Sequence, residues 1–257
     1  MKRMTVLIAL ALATVLAIPG LAQTERRPAT SSFASDLQTV PVMANTGGVN
    51  GATFQTYVSI ANPTSSAFAV DATLYDAAGS EHHATISLAA GEVKSYTNFL
   101  STAFNYSGGG AVTFESPESA GGTHNNRFIV NAEVWTTTNG GRYGTSIATL
   151  EFAGTSSRSF SPGITVDSST RTNVGCFNQS ESANHVKATV LDATGKLTLG
   201  SVDLNLAANA WGQTAIPTIV SNGSVQFDPS DSAVCYAVVI NNATNDGRFV
   251  AAAEYKP

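Results

Sequence analysis

Two stretches of the chain decide its fold because they repeat one another: TYVSIANPTSSAFAVDATLYDAAG at 56–79 and TNVGCFNQSESANHVKATVLDATG at 172–195. They align without a gap at an offset of 116 residues (172 − 56). Similarity at a fixed spacing is the signature of a duplicated structural unit. The identities include Thr56/Thr172, Val58/Val174, Asn62/Asn178, Val70/Val186, Ala72/Ala188, Thr73/Thr189, Asp76/Asp192 and Gly79/Gly195.

The repeat continues beyond these stretches through small insertions, so the two copies span 37–153 and 154–257, each of ordinary domain size. The Ser/Gly-rich stretch AGTSSRSFSPG at 153–163 is typical of a linker, and we expect the two domains to be joined there. The further matches are GAVTF at 110–114 with GSVQF at 223–227, and TNGGRY at 138–143 with TNDGRF at 244–249.

Apolar residues alternate with polar ones within each copy, and a period of two predicts strands with one apolar face. In the first copy Val70, Ala72 and Leu74 carry this pattern, and their partners in the second copy repeat it. Seven or eight short strands in about 110 residues predict an all-β fold of two tandem Ig-like antiparallel β-sandwich domains. Helical spacing occurs only at 96–104, where one short helix is expected.

Turn residues separate the predicted strands. Asp76 and Gly79 bound a four-residue turn in the first copy, and Asp192 and Gly195 bound one in the second. Asp at the start of a turn accepts hydrogen bonds from the turn's own backbone, and Gly at its end tolerates a positive φ. This turn chemistry explains both aspartates without a catalytic role.

Two segments, VPVMANTGGVNGATFQTYVSIANP (40–63) and RTNVGCFNQS (171–180), together with the Asp-x-x-Gly hairpins, resemble tandem Ig-like sandwich modules of bacterial exported proteins. The resemblance covers nearly all of the chain after its first residues. It implies the fold and exposure to the cell exterior, and it carries no catalytic residue. The antibody-type Cys…Trp…Cys spacing is absent, because Trp211 lies 35 residues after Cys176.

Residues 1–22 have the pattern of a signal peptide. Lys2 and Arg3 precede an apolar run at 6–18, and Ala22 offers a small residue for cleavage. An uncleaved anchor is the alternative, but this run would rise only about 20 Å as a helix, short of a bilayer core of roughly 30 Å. The sequence therefore predicts export to the extracellular space, cell surface or periplasm, with 23–36 as a flexible lead-in.

The charge pattern excludes one class of partner. The chain has 13 Lys and Arg against 18 Asp and Glu, a formal net charge of −5, without a basic cluster beyond the leader. Nucleic-acid binders need a basic surface, so no nucleic-acid partner is expected. No cofactor and no metal site are expected either. His82 and His83 are adjacent and would point to opposite faces of a strand, and only a loop would let both bind one ion. Calcium stays open as an alternative, since Ig-like modules sometimes bind it between domains, but no clustered Asp/Asn/Glu loop of the calcium type stands out.

The two cysteines, Cys176 and Cys235, both lie in the second copy. Export places them in an oxidising compartment, which favours a structural disulfide, with two buried free thiols as the alternative. Cys176 matches Ile60, which predicts a core position. Cys235 aligns with Ile129 or Asn131, which would turn it to the opposite face of its strand.

Three residues near one hairpin form the candidate ligand-binding group: Trp135, Arg142 and Tyr143. Alternation along 128–137 places Trp135 on the polar face, where an indole can stack on a sugar or anchor a protein contact. The alternative is that Trp135 caps the core or packs on the other domain. For Arg142, which recurs as Arg248 beside the same turn, the alternative is a structural hydrogen bond to the backbone. Trp211 aligns with Val93 and is expected in the core.

The chain contains no sequence motif of a known catalytic site. We therefore expect an exported, non-enzymatic structural, adhesive or partner-binding protein, with a protein or an extracellular polysaccharide as partner and no membrane span once the leader is removed. Carbohydrate binding through exposed aromatic side chains is the alternative. A hydrolase with an unrecognised site is a remote one.

Overall fold

The computed structural model describes residues 34–48, 51–116, 126–138, 141–150 and 154–254. The predicted signal peptide and most of the predicted lead-in lie outside the described residues. The end of that lead-in is ordered, because the backbone of Ser35 exchanges two hydrogen bonds of 2.9 Å with Phe128.

The described chain is built from seventeen strands and one short helix. The predicted short helix is confirmed as α1. In chain order the elements are β1 (Leu37–Gly47), β2 (Thr53–Ala61), β3 (Phe68–Tyr75), β4 (Glu81–Leu88), β5 (Val93–Tyr96), α1 (Phe99–Phe104), β6 (Gly108–Glu115), β7 (Ile129–Thr138), β8 (Gly141–Ile147), β9 (Ser159–Val166), β10 (Thr170–Asn178), β11 (Asn184–Leu191), β12 (Thr198–Leu206), β13 (Trp211–Ala215), β14 (Val220–Pro229), β15 (Ala233–Asn241), β16 (Gly247–Ala251) and β17 (Ala253–Glu254).

The N-terminal half, β1 to β8, forms one eight-stranded sheet in the order β4-β3-β6-β1-β2-β7-β8, with β5 also paired to β2. Strand β1 joins its two parts: residues 37–45 pair with β6, whereas Thr46 and Gly47 pair with β2. The sheet therefore folds over on itself at β1 and encloses a core. The largest fully buried side chains of this core include Phe99, Phe114, Phe128, Met43 and Ile60.

The C-terminal half, β9 to β17, forms a four-stranded sheet, β13-β10-β15-β16, and a five-stranded sheet, β12-β11-β14-β9-β17. Its core includes Ile164, Val190, Val225 and Phe227. Strand β9 begins inside the stretch 153–163, and Thr155 forms a bridge to Ala233 just before it. The later part of the Ser/Gly-rich stretch 153–163 is therefore paired into the C-terminal sheets.

The predicted alternation is confirmed on both repeated strands. Val70, Ala72 and Leu74 of β3 are at most 1% exposed, and their counterparts on β11 are completely buried. All ladders between the named strands are antiparallel. The fold is therefore all-β, and its strands bury alternate residues as a sandwich requires. Among the described residues, no helix is long and apolar enough to cross a bilayer.

Strand β15 contributes to both cores. Cys235 and Ala237 point into the C-terminal core, whereas Tyr236, Val238 and Ile240 join the buried cluster of the N-terminal half. The two halves are therefore packed together through apolar side chains of one strand. Burial on both faces explains the sequence of β15, AVCYAVVIN, in which apolar residues are continuous rather than alternating.

Candidate functional site

The two cysteines are bonded to each other. Cys176 and Cys235 lie directly opposite on β10 and β15, with their Cα atoms 4.1 Å apart. In the N-terminal half, Ile60 lies opposite Val130 in the same way. Cys235 therefore corresponds to Val130 and faces the core, so both alignments predicted for it were one residue out of register.

The predicted turn residues have the expected geometry. Asp76 Oδ1 accepts from the backbone N–H groups of Ala78 and Ser80 at 2.8 and 2.9 Å, and Gly79 has φ +79°. In the second turn, Asp192 Oδ1 accepts from residues 196 and 197 at 3.0 and 3.1 Å, and Gly195 has φ +69°. Each aspartate thus holds its own hairpin through backbone donors.

Hydrogen bonding keeps both aspartates ionised. The Leu197 N–H and the Thr194 hydroxyl lower the pKa of Asp192. Partial burial works against ionisation of Asp76, but hydrogen bonds from the backbone of Ser80 and Ala78 and the side chain of His82 lower its pKa overall. These hydrogen bonds favour the ionised form of each carboxylate, which is the form that accepts from the turn backbone.

The two turns have different surroundings. The Asp76 carbonyl accepts a 3.0 Å hydrogen bond from the backbone N–H of Trp211, and Gly79 lies against the carbonyl of Ala208. Gly195 has open space around it. The first turn is therefore part of the contact between the halves, whereas the second projects away from it.

Trp135 and Arg142 meet on the outer face of the sheet β5-β2-β7-β8. The Arg142 guanidinium lies 4.4 Å from the centre of the indole ring, and its Nη2 donates to Glu133 at 3.0 Å. The indole Nε1–H donates to the Thr97 carbonyl at 3.3 Å. The ring is thus held across the strands, with one of its faces occupied by a cation.

The third predicted residue, Tyr143, does not join this group. It lies opposite Thr136, whose side chain is fully buried, and therefore projects from the other face of β8. Its place is taken by Tyr57 on β2, which lies opposite Glu133 and donates to the Ser95 hydroxyl at 3.0 Å. Tyr57 alternates with buried Val58, and this alternation could have identified it.

We name this surface the outer face and define it by seven side chains that share it. Trp135 lies opposite Gln55, and Glu133 lies opposite Tyr57, so aromatic and polar groups alternate across β2 and β7. The described side chains that define the outer face are Gln55, Tyr57, Ser95, Asn131, Glu133, Trp135 and Arg142.

The corresponding sheet of the C-terminal half, β13-β10-β15-β16, presents an apolar face. Trp211 is half-buried there and packs on the core of the N-terminal half, so its predicted place in its own domain's core was wrong. Its Nε1–H donates to the Tyr236 hydroxyl at 3.0 Å, which in turn donates to Gln213 at 3.1 Å. Complete burial raises the pKa of Tyr236 far above its usual value.

A cavity of about 510 Å³ lies between the halves, beside this apolar contact. Its walls come from β1, β2, β6, β7 and β8 on one side and from β10, β13, β15 and β16 on the other. Sequence reasoning missed it because neither half contains it alone. The apolar residues of the wall include Val42, Met43, Val134, Ile147, Trp211, Val238 and Ile240.

Arg171 carries the only charge among the described residues that line this cavity. Its Nη1 donates to Asn242 at 3.0 Å and its Nη2 to Asn245 at 2.7 Å, so two side-chain amides fix the guanidinium. No carboxylate of the described chain forms an ion pair with it. Partial burial lowers the pKa of Arg171, yet a guanidinium stays protonated at neutral pH.

The two adjacent histidines point to different partners. His82 lies 3.4 Å from Asp76, and His83 lies 3.6 Å from Glu81. Across the described parts of the chain, no three His, Cys, Asp or Glu side chains are grouped as a metal ion would require.

Comparison with known proteins identifies no family for this chain. No protein-family model matches the chain, and no curated protein matches it. Among solved structures, a β-glucuronidase from Bacteroides uniformis is 10% identical over 78% of this chain, with a TM-score of 0.16. The alignment spans 24% of the glucuronidase. At that TM-score the likeness carries no argument about fold or function.

Proposed function

We propose that this chain is an exported, non-enzymatic adhesive or partner-binding protein made of two tandem Ig-like sandwich modules that arose by internal duplication. The matching strand orders support the duplication. The order β4-β3-β6-β1 corresponds strand for strand to β12-β11-β14-β9, and β5-β2-β7-β8 corresponds to β13-β10-β15-β16. The modules proposed are 37–153 and 154–257, with the N-terminal one extended to Ser35.

The interlocked strand pairs support an Ig-like description. The pairs β2–β5 and β3–β6 have the chain positions of the B–E and C–F pairs of an immunoglobulin sandwich. The terminal strands differ, because β7 pairs with β2 and β1 pairs with β6. We therefore propose an Ig-like core in which the first and last strands have exchanged sheets.

The observation that carries the functional proposal is the different use of one face in the two halves. In the C-terminal half, Tyr236, Val238 and Ile240 cover the equivalent face with apolar groups that dock on the N-terminal half. In the N-terminal half the matching positions are Asn131, which is exposed, and Glu133 and Trp135, which are half-buried. The C-terminal half thus uses this face for a protein contact, and the N-terminal half leaves the same face available for a partner.

The composition of the outer face favours a macromolecular partner. Trp135, Tyr57 and Arg142 are the residue types that dominate binding energy at protein interfaces. Amide, hydroxyl and carboxylate groups from Gln55 and Glu133 surround them and supply directional hydrogen bonds. We infer that the outer face binds a protein or an extracellular polysaccharide.

Export is supported by the bonded cysteine pair. Disulfides persist in oxidising compartments and are rare in reducing ones. Together with the leader pattern at 1–22, this favours a location at the cell surface, outside the cell or in the periplasm.

Carbohydrate binding is a second candidate, favoured by the two aromatic side chains that share the outer face. Sugars stack on aromatic faces, and Trp135 and Tyr57 lie diagonally on neighbouring strands. The Arg142 guanidinium occupies one face of the indole, so a sugar stacking there must displace it.

Co-sedimentation tests the proposal. Protein with the sequence 23–257 is mixed with envelopes of the cells that produce it and with insoluble polysaccharides. We compare Asn131→Arg, on the outer face, with Asn205→Arg, a matched change at an exposed asparagine of β12. Saturable envelope binding that falls at least tenfold in N131R alone supports the proposal. Absent binding, or equal binding by both variants, contradicts it.

The same assay separates the candidates. Binding that disappears when the envelopes are treated with protease identifies a protein partner. Binding that survives protease treatment, occurs on a pure polysaccharide and is lost in Trp135→Ala identifies carbohydrate. Turnover of chromogenic glycosides by the purified protein would instead favour the hydrolase alternative.

A further inference from the structure

We propose that the cavity between the halves binds a small amphipathic carboxylate, with its apolar body between the halves and its carboxylate on Arg171. The proposal rests on the cavity alone and goes beyond the outer face, which is formed by a different surface of the N-terminal half. The two proposals can therefore fail separately.

The size and walls of the cavity suit an apolar body. Its volume of about 510 Å³ lies within the range of roughly 300–1,000 Å³ that is usual for small-molecule sites. Met43 is completely buried, and Val238 and Ile240 are under 10% exposed, so the wall is formed by well-packed side chains. The apolar part of this wall favours an apolar occupant.

The positive charge of Arg171 favours an anionic group at the other end of the ligand. Arg171 has five N–H donors, and its two amide contacts leave three of them without an acceptor in the described chain. Its charge has no carboxylate partner in the described chain, so an anionic ligand would supply the missing one. A single planar guanidinium matches a carboxylate through two parallel hydrogen bonds.

The charge of Arg171 has no counterpart in the first copy. The matching register position on β2 is Gln55, which is neutral. Asn242 and Asn245 both lie in the turn between β15 and β16, and both direct their side-chain oxygens to the guanidinium. The protein therefore orients a cation at the cavity wall with neutral groups only, as an anion site requires.

Decanoate is the probe that we would use, with decanol as its neutral counterpart. The chain has two tryptophans, Trp135 and Trp211, and only Trp211 lines the cavity. In a Trp135→Phe background, the emission of Trp211 therefore reports occupancy directly. Isothermal titration of the unmodified protein gives the affinity independently.

We expect saturable decanoate binding that changes Trp211 emission. Arg171→Gln, which copies Gln55, should weaken decanoate binding at least tenfold and leave decanol binding unchanged. Arg171→Lys should retain part of the decanoate affinity, because it keeps the charge but loses the planar fork. Arg142→Gln is the matched control, since Arg142 lies on the outer face.

Thermal melts by circular dichroism establish whether the variants fold. If Arg171→Gln does not fold, the decanoate affinity of Arg171→Lys tests the proposal instead. Absence of saturable decanoate binding at millimolar concentration would overturn the proposal. So would equal decanoate affinity in the wild type and Arg171→Gln, or equal weakening of decanoate and decanol.

Discussion

Gly79 lies against Ala208 so closely that a Cβ at residue 79 would collide with the Ala208 carbonyl oxygen. The turn of one half thus touches the backbone of the other at a point where only glycine fits. Its counterpart, Gly195, ends the same turn in open space. The repeated motif is therefore used once as a hairpin turn and once as both a turn and a docking contact.

Alanine substitution at these two glycines separates the two uses. Both variants place a side chain at positive φ, which costs about 1–2 kcal/mol. Gly79→Ala also forces the Ala208 backbone away, so we expect a total loss of about 3 kcal/mol or more in the free energy of unfolding. Urea unfolding measures both. Equal losses in Gly79→Ala and Gly195→Ala would show that the turn does not dock.

Removal of the disulfide should lower the stability substantially. The bond closes a separation of 59 residues, and the chain-entropy relation gives about 4 kcal/mol for a loop of that length. We expect this loss in Cys176→Ala/Cys235→Ala, measured by urea unfolding of the folded variant. Wild-type protein unfolded in reducing agent is the control. A loss below about 1 kcal/mol in both would contradict a stabilising role.

Two buried asparagines, Asn62 and Asn178, should be necessary for the loops that they hold. Asn178 Nδ2 donates to the carbonyls of Ser182 and Ala207 at 2.8 and 2.6 Å, and Asn62 makes the equivalent pair of bonds. Alanine at either position should cost about 2–4 kcal/mol, because a buried amide and both of its hydrogen bonds to the loop backbone are lost. Calorimetric melting tests this, with the exposed Asn205→Ala as a control of little effect.

The same burial makes a prediction about modification. Asn178 begins an Asn-x-Ser sequence, but its side chain is completely buried. We therefore expect no glycan at Asn178 in the folded protein, even in a host that glycosylates such sequences. Mass spectrometry of protein expressed in such a host checks this, and a glycan at Asn178 would contradict the placement.

Tyr236 should make the stability depend on alkaline pH. Burial raises its pKa in the folded state, whereas tyrosine in the unfolded chain ionises near pH 10. Above pH 10 the unfolded state therefore binds fewer protons than the folded state, and stability falls as pH rises. Below pH 10 this contribution is fully present.

Tyr236→Phe tests that dependence. It removes the acceptor of the Trp211 Nε1–H and should cost about 1–2 kcal/mol at pH 8. Between pH 9 and pH 11 its unfolding free energy should fall less steeply than that of the wild type. Parallel curves in urea unfolding would show that Tyr236 ionises normally in the folded protein.

The strand pattern was predictable from sequence because it is local. Val70, Ala72 and Leu74 alternate with polar residues, and the structure buries all three. The register of Cys235 was not predictable in the same way. Strand β15 is apolar on both faces, so alternation could not tell which residues face which core.

The contact between the halves could not be predicted from either copy alone. Trp211 matches Val93 in the first copy. Its ring lies against Gly109 of the other half, and this contact has no counterpart within either copy. Arg171 and Val134 line one cavity although they lie in different halves. The continuous apolar run of β15 was the available signal, because a strand that is apolar on both faces must be covered on both.

The most direct test of the central claim is photo-crosslinking from the outer face. A photoreactive amino acid is placed at Asn131, and in a second variant at Asn205, and each protein is irradiated on the envelopes of the cells that produce it. We predict a specific adduct from position 131 and none from position 205. The absence of an adduct at 131, or the same adducts from both positions, would contradict the proposal that the outer face binds the partner.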